Sequence, residues 1–378
     1  MRIVAIGDIG VIDEMIHIGD EAMFGAMADA VRSRGVDAIT GISSRPAESS
    51  ARYGIEAVEP LGFGPDRAAN EARMLGILSG DLDERASAVA EAVHAADGVV
   101  IAGGGNMTSL WPHHVYERAT LGALAAAAGI PLVVTGQTIG PELGPRDAEL
   151  VAGLLSSARL VGLREPSSYA LVSGLAVTAP FEQTIDDASY LVSDEPDRGD
   201  YALVSLANHV GGADREAVVR EVAALLDGLG MPVRFLAHFG SLVPGESRGD
   251  SVLHDRVIAA MHSPAEVVTP TDSETAARLA RGAALVVSSR YHPVVFAAPA
   301  GVPVVAIPVD DYTGVKLRGA LGNFGQDGLL PVDGLVAGSG AAVASRVWAR
   351  RDELAASVPD RRAESAAWWD RVAESLAG

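Results

Sequence analysis

The chain has 378 residues, enough for two domains, and its 29 Lys plus Arg against 49 Asp plus Glu leave a net charge of −20. That acidity excludes nucleic acid as a general partner, and the absence of cysteine excludes disulfides, Cys-ligated zinc, iron–sulfur clusters and thiol catalysis. Hydrophobic residues at 48% and charged residues at 21% are the composition of a globular chain.

The N-terminus is apolar for only a few residues before Asp8, so Arg2–Ile6 reads as a first strand and not as a signal peptide. A helix follows over Asp20–Ser33, with Ala22, Met23, Ala26, Met27 and Ala30 on one face. Val36–Thr40 is the next strand, and Pro65–Ser79 and Leu82–Ala95 are helices. Val99–Ile101 is a strand that runs into three glycines, and His114–Ala128 is an Ala-rich helix. Pro131–Thr135 is a strand, Arg146–Ser157 a helix and Leu160–Leu163 a strand. Strands that alternate with helices in this way imply a parallel sheet with crossover helices.

The polar stretch Ser193–Asp200 reads as a linker, after which the alternation restarts. Tyr201–Leu206, Pro232–Leu236, Glu266–Thr269, Leu285–Val287 and Val304–Ile307 are strands. Ala213–Leu229, Ser251–Met261 and Ser273–Arg281 are helices, and Ala341–Leu376 is a long helical stretch broken at Pro359. The fold expected is α/β, with Rossmann-like domains over 1–192 and 201–338 facing across a cleft, and a helical segment over 339–378. The longest apolar stretch, Val294–Val309, is interrupted by Pro299, Pro303 and Pro308 and is too short to span a bilayer. The expectation is a cytoplasmic protein without a transmembrane segment, with peripheral contact with membrane-bound material left open.

Ligands of open parallel sheets bind beyond the carboxyl ends of the strands. Gly103-Gly104-Gly105-Asn106 follows one strand, where glycines let backbone N–H groups approach an anion; a tight turn is the bland reading. Thr135-Gly136-Gln137-Thr138-Ile139-Gly140-Pro141 repeats that logic with the Gln137 amide. Arg164 stands where a strand ends, suited to a bidentate anion contact or to a pair with Glu165 or Asp187. Ser288-Ser289-Arg290-Tyr291-His292-Pro293 says most: a permanent cation and a group that titrates near neutrality end an apolar strand. Asp20 reads as an N-cap or a proton acceptor, and Lys316, four residues after Tyr312, as a further cation. Asp186-Asp187 and His113-His114 lack further ligands at recognisable spacing, so no metal site is expected. Trp368 and Trp369 are expected to pack against the body.

Taken in order, Gly19–Ala22, Gly103–Asn106, Gly136–Pro141, Arg164 with Ser168, Asp187, Ser289–His292 with Gly301-Val302-Pro303, and Tyr312 with Lys316 resemble the polysaccharide pyruvyl transferase family. The resemblance covers most of the chain. The stretch from Gly7 to Gly19 is longer than is usual there, and Met107-Thr108-Ser109-Leu110 stands where an acidic residue is frequent. The resemblance implies a GT-B-like architecture whose C-terminal helix returns to the first domain. It implies transfer of pyruvate from phosphoenolpyruvate to two hydroxyls of a sugar, forming a cyclic ketal in polysaccharide or cell-wall biosynthesis. His292 would then be the general acid or else a phosphate contact, Arg290 an anion-binding catalytic residue, and Asp20 or Glu21 a proton acceptor. Arg164, Ser289, Tyr291, Lys316, Gly104, Gly105, Asn106 and Gln137 would bind substrate. The acceptor would be a glycan, a sugar-lipid or a sugar-nucleotide, with no metal or redox cofactor required. The alternative on the same fold is a glycosyltransferase or sugar-nucleotide epimerase with a nucleotide-sugar substrate.

Overall fold

The structure, a computed structural model, describes residues 1–192 and 196–378. The first three residues of the expected linker, 193–195, therefore lie outside the described residues, and 196–200 form neither helix nor strand. In chain order the strands are β1 (Arg2–Ile9), β2 (Met15–His17), β3 (Ala38–Ser43), β4 (Glu56–Val58), β5 (Gly98–Ile101), β6 (Gly104–Met107), β7 (Leu132–Ile139), β8 (Leu160–Leu163) and β9 (Phe181–Gln183). They continue as β10 (Ala202–Ser205), β11 (Val233–Leu236), β12 (Phe239–Ser241), β13 (Ala265–Val268), β14 (Leu285–Ser288) and β15 (Val304–Ala306).

The chain divides into two compact units. Unit 1 takes Met1–Ile12, Met23–Asp187 and Arg361–Gly378. Its parallel sheet runs β4-β3-β1-β5-β7-β8-β9, with β6 paired to β7. Strands β1 and β5 and the first half of β7 are largely apolar on both faces because helices cover both, as an all-parallel sheet requires. The C-terminal helix Arg362–Ala377 closes one face, where Trp368, Trp369, Val372 and Leu376 join Ile3, Ala5, Val133 and Leu160. The expected return of this helix to the first unit is what the structure shows.

Unit 2 takes Asp13–Ala22 and Ala188–Asp360. Its parallel sheet runs β13-β11-β10-β14-β15, and its core gathers Val204, Phe235, Val287, Val305 and Leu335. Residues 13–22, expected in the first domain, belong here because β2 pairs antiparallel with β12, His17 opposite Phe239 and Met15 opposite Ser241. The long stretch from Gly7 to Gly19 thus supplies a strand to the second unit. The expected terminal segment 339–378 is also divided: helices Gly340–Ala349 and Arg351–Ser357 go with unit 2 and only the last helix with unit 1.

Part of the acidic surplus is used locally. Asp66, Asp83, Asp214, Asp272 and Asp310 cap helices, each accepting a first-turn backbone N–H. Two expected loops are strands. Gly104–Met107 pairs with β7 as β6, and β7 continues through Gly136 and Gln137 to Ile139. Sequence patterning misses both because glycine and polar residues at a buried sheet centre do not alternate.

The last helix depends on a close approach. A methyl group built on Gly162 of β8 would lie 2.6 Å from the indole of Trp368, so only glycine fits beneath that ring. Trp368→Ala is expected to cost about 3–5 kcal/mol, read as a lower urea midpoint for unit 1.

Candidate functional site

In unit 2 the carboxyl ends of β10, β11 and β14 bring Ser205, His238 and Ser288–Arg290 together with the first turn of the helix Ile18–Arg32. Arg290 caps the helix Tyr291–Ala297, and its guanidinium is fixed by Asp250: Nε donates to Oδ2 at 2.8 Å and Nη2 to Oδ1 at 2.5 Å. Asp250 is fully buried and also accepts the backbone N–H of Phe239 at 2.9 Å and of Asn208 at 3.3 Å. Burial alone would raise its pKa; the Arg290 guanidinium beside it holds it below the ordinary carboxylate value. The pair is therefore ionised, and Arg290 keeps about a third of its side chain exposed (32%).

His292 is seated against main chain. A methyl group on Gly19 would come 1.9 Å from its Nδ1, so the glycine is a condition of the imidazole's position. The edge of Tyr291 (5.1 Å between ring centroids) and the ring of Phe296 (5.8 Å) flank it. Behind it, His238 is buried, with Nδ1 3.0 Å from Ser205 Oγ, and its carbonyl accepts the N–H of Ile18 at 3.0 Å. Burial, with the charge of His292 adding to it, pushes the His238 pKa down to about 3. Burial likewise takes His254, which accepts the N–H of Leu206 on Nε2, down to about 4. Both are neutral at ordinary pH, and neither competes with His292 for a proton.

The remaining unit 2 candidates fall around this centre. Ser289 is buried and its Oγ accepts the N–H of Ala207 at 2.8 Å, which ties the strand ends together. Lys316 Nζ lies 3.7 Å from the ring centroid of Tyr312 and 5.6 Å from that of Tyr291. Asp20 stands in the first helical turn, 3.8 Å from His17 Nδ1, and its charge acts on Arg290. It thus belongs with Arg290 and His292 in unit 2 and not with the glycine segments.

Unit 1 holds the other candidates. Arg164 is buried at the end of β8, its Nε donating to Thr138 Oγ1 at 2.8 Å and its Nη1 to Asp186 at 2.7 Å. Of the pairings weighed from sequence, its closest carboxylate is neither Glu165 nor Asp187 but Asp186. Asp187 fills a socket of backbone. Its Oδ2 accepts Gly103 N–H at 3.1 Å and Thr135 O–H at 2.5 Å. A Cβ on Gly136 would come 2.7 Å from Oδ1, and one on Gly103 2.8 Å from Oδ2. Gln137 is buried and its amide donates to the carbonyl of Ala102, while Gly104 and Gly105 are strand residues beside it. Asn106 donates to Asp8.

Sequence reasoning missed Ser205, His238, Asp250, His254 and Asp8. Asp8, Ser205 and His238 sit at or just after strand ends, so the strand-end rule itself could have found them. Asp250 precedes a helix and looks like an ordinary cap; its partner, 40 residues away, is invisible in the sequence. Among the described residues no cluster of three or more His, Asp or Glu could hold a metal ion, and no helix is long and apolar enough to cross a membrane.

Burial raises the Asp187 pKa to about 7. Between about pH 4 and 7 the folded chain keeps this proton while the unfolded chain loses it, so the group's contribution to stability falls as pH rises. Asp187→Asn titrates nothing, so its urea midpoint relative to the parent is expected to rise between about pH 4.5 and 7.5. An unchanged difference would mean that Asp187 is ionised throughout.

A family description, Polysaccharide pyruvyl transferase, matches residues 17–311. No curated protein sequence matches the chain. Among solved structures, the UDP-GlcNAc 2-epimerase from Neisseria meningitidis bound to UDP-GlcNAc is similar over 100% of both chains, at 9% identity and a TM-score of 0.61. The S. aureus MnaA–UDP co-structure covers 97% of this chain and 94% of its own, at 10% identity and a TM-score of 0.60. CalG4, the calicheamicin glycosyltransferase, covers 100% and 97%, at 15% identity and a TM-score of 0.54. At such identities the likeness is one of fold: two Rossmann-like units of the GT-B kind.

Proposed function

The chain belongs to the polysaccharide pyruvyl transferase family, and on that premise we propose that it moves pyruvate from phosphoenolpyruvate onto two hydroxyls of a sugar, forming a cyclic ketal. The observation that carries the reading is the seating of His292 against the backbone of Gly19 beside the Asp250-braced Arg290. A proton donor and a permanent cation are thereby held at one strand end. Phosphoenolpyruvate needs both. Its phosphate and carboxylate need cations in a chain of net charge −20, and its enol carbon needs a proton.

A guanidinium has five N–H donors. Asp250 takes those on the Nε and Nη2 edge, which directs the Nη1 edge to the incoming phosphate or carboxylate. Lys316, held over Tyr312, adds a second cation. His292 as imidazolium protonates carbon 3 while a sugar oxygen bonds to carbon 2. The second hydroxyl then bonds to carbon 2 as the bond to phosphate breaks. Two hydroxyl protons leave; one ends on the new methyl group and the other departs with phosphate. No electrons change hands, so the stoichiometry needs no redox cofactor, and charge neutralisation by Arg and Lys replaces a metal. Asp20 is the proposed proton acceptor in unit 2. The acceptor is a polysaccharide or its lipid- or nucleotide-linked precursor, and the reaction belongs in the cytoplasm, where the donor is made.

Calorimetric titration with phosphoenolpyruvate, with UDP and GDP in parallel, tests the reading. Phosphoenolpyruvate is expected to bind, and Arg290→Ala to weaken binding by about 1.5–3 kcal/mol, the worth of a charge-assisted hydrogen bond. Binding of a nucleotide with silence towards phosphoenolpyruvate would move the assignment to a nucleotide-sugar enzyme. His292→Ala is expected to bind phosphoenolpyruvate with little loss yet release no phosphate with acceptor present. Lost binding with residual turnover would instead make His292 a phosphate contact.

A further inference from the structure

Unit 1 carries a second polar cluster that the donor chemistry leaves unused. Asp8 stands near the end of β1, Asn106 in β6, and His113, His114 and Arg118 on the first turns of the helix Pro112–Ala128. Arg118 is almost wholly buried, with Nη2 2.9 Å from Asp8 Oδ2. His114 Nδ1 lies 3.2 Å from Asp8 Oδ1, and the Asn106 amide donates to Oδ2. The rings of His113 and His114 lie 4.1 Å apart. Burial alone would raise the Asp8 pKa, but Arg118 and His114 overcome that and hold it well below the ordinary value. The carboxylate is thus ionised and cannot swing away.

The cluster is not sealed. The side chains of Asp8 and His114 are about a quarter exposed (25% and 26%). The Oδ1 of Asn106 is buried without a hydrogen-bond partner among the described residues. Arg118 balances the charge of Asp8, and the other bases of the cluster are imidazoles, so it has no second permanent cation for an anion, in contrast to Arg290 with Lys316. An ionised carboxylate accepts hydroxyl donors, and an amide and an imidazole can each serve a hydroxyl. That set suits a neutral polyol.

We propose that Asp8, Asn106 and His114 form a hydroxyl-recognition subsite for a neutral sugar ring of the acceptor, with Arg118 as the positioning residue that fixes Asp8. The inference rests on the reading of the acceptor as a glycan and adds the residues that would meet it.

The test is ligand-observed NMR on the full chain with the methyl glycosides of galactose, glucose, mannose and N-acetylglucosamine. Phosphoenolpyruvate calorimetry runs beside it on the same samples. At least one glycoside is expected to bind the parent protein. Asp8→Asn and His114→Gln are expected to weaken it at least about tenfold, the loss of a charge-assisted hydrogen bond, with phosphoenolpyruvate binding unchanged. If Asp8→Asn fails to fold, His114→Gln decides alone. A folded His114→Gln that keeps its glycoside affinity, or a parent protein that binds none of the four, overturns the subsite. If phosphoenolpyruvate never binds while glycoside binding still depends on His114, the donor assignment falls and the subsite stands.

Discussion

The buried ion pair between Arg290 and Asp250 is the constraint on which the rest of unit 2 depends. Asp250 pays for its burial only if both oxygens are used, and they are: by the guanidinium and by the N–H groups of Phe239 and Asn208. One side chain thus joins β12, the segment after β10 and the residue that caps the helix after β14. Removing one partner of such a pair leaves the other charge stranded in a poor solvent. The pair is therefore better understood as a device for fixing geometry than as a source of stability.

The same economy governs the imidazoles. His238 and His254 are made neutral by burial and serve as hydrogen-bonding spacers behind the strand ends. His292, pressed against Gly19, is left as the imidazole to which the proton chemistry is assigned. Unit 1 solves a related problem differently. Its glycines at 103 and 136 let backbone close directly on the Asp187 carboxyl, and burial there favours the neutral acid over the carboxylate.

Much of this was legible in the sequence, and the reasons are physical. Strands such as Val99–Ile101 and Leu285–Val287 are continuous apolar runs because both faces of a parallel sheet are covered. Ser289–His292 stands out because charge at the end of such a run is costly unless used. What stayed hidden is pairing at long range. Nothing local tells that Asp250 meets Arg290, that Asp8 meets Arg118, or that Arg164 prefers Asp186. That residues 13–22 go with the second unit stayed hidden for the same reason. Residues 15–17 look like part of a loop until β12 offers them a partner.

The chain passes between its units at 12/13, 22/23, 187/188 and 360/361. Unit 1 is therefore a discontinuous body whose sheet is synthesised early and whose closing helix comes last. While the ribosome makes unit 2, the face of β1, β7 and β8 that Trp368 and Trp369 later cover stays open to water. Domains usually fold in the order of synthesis, but here the earlier one must wait for the later one to be made. Until residues beyond 360 emerge, that apolar face lacks the helix that covers it in the folded chain.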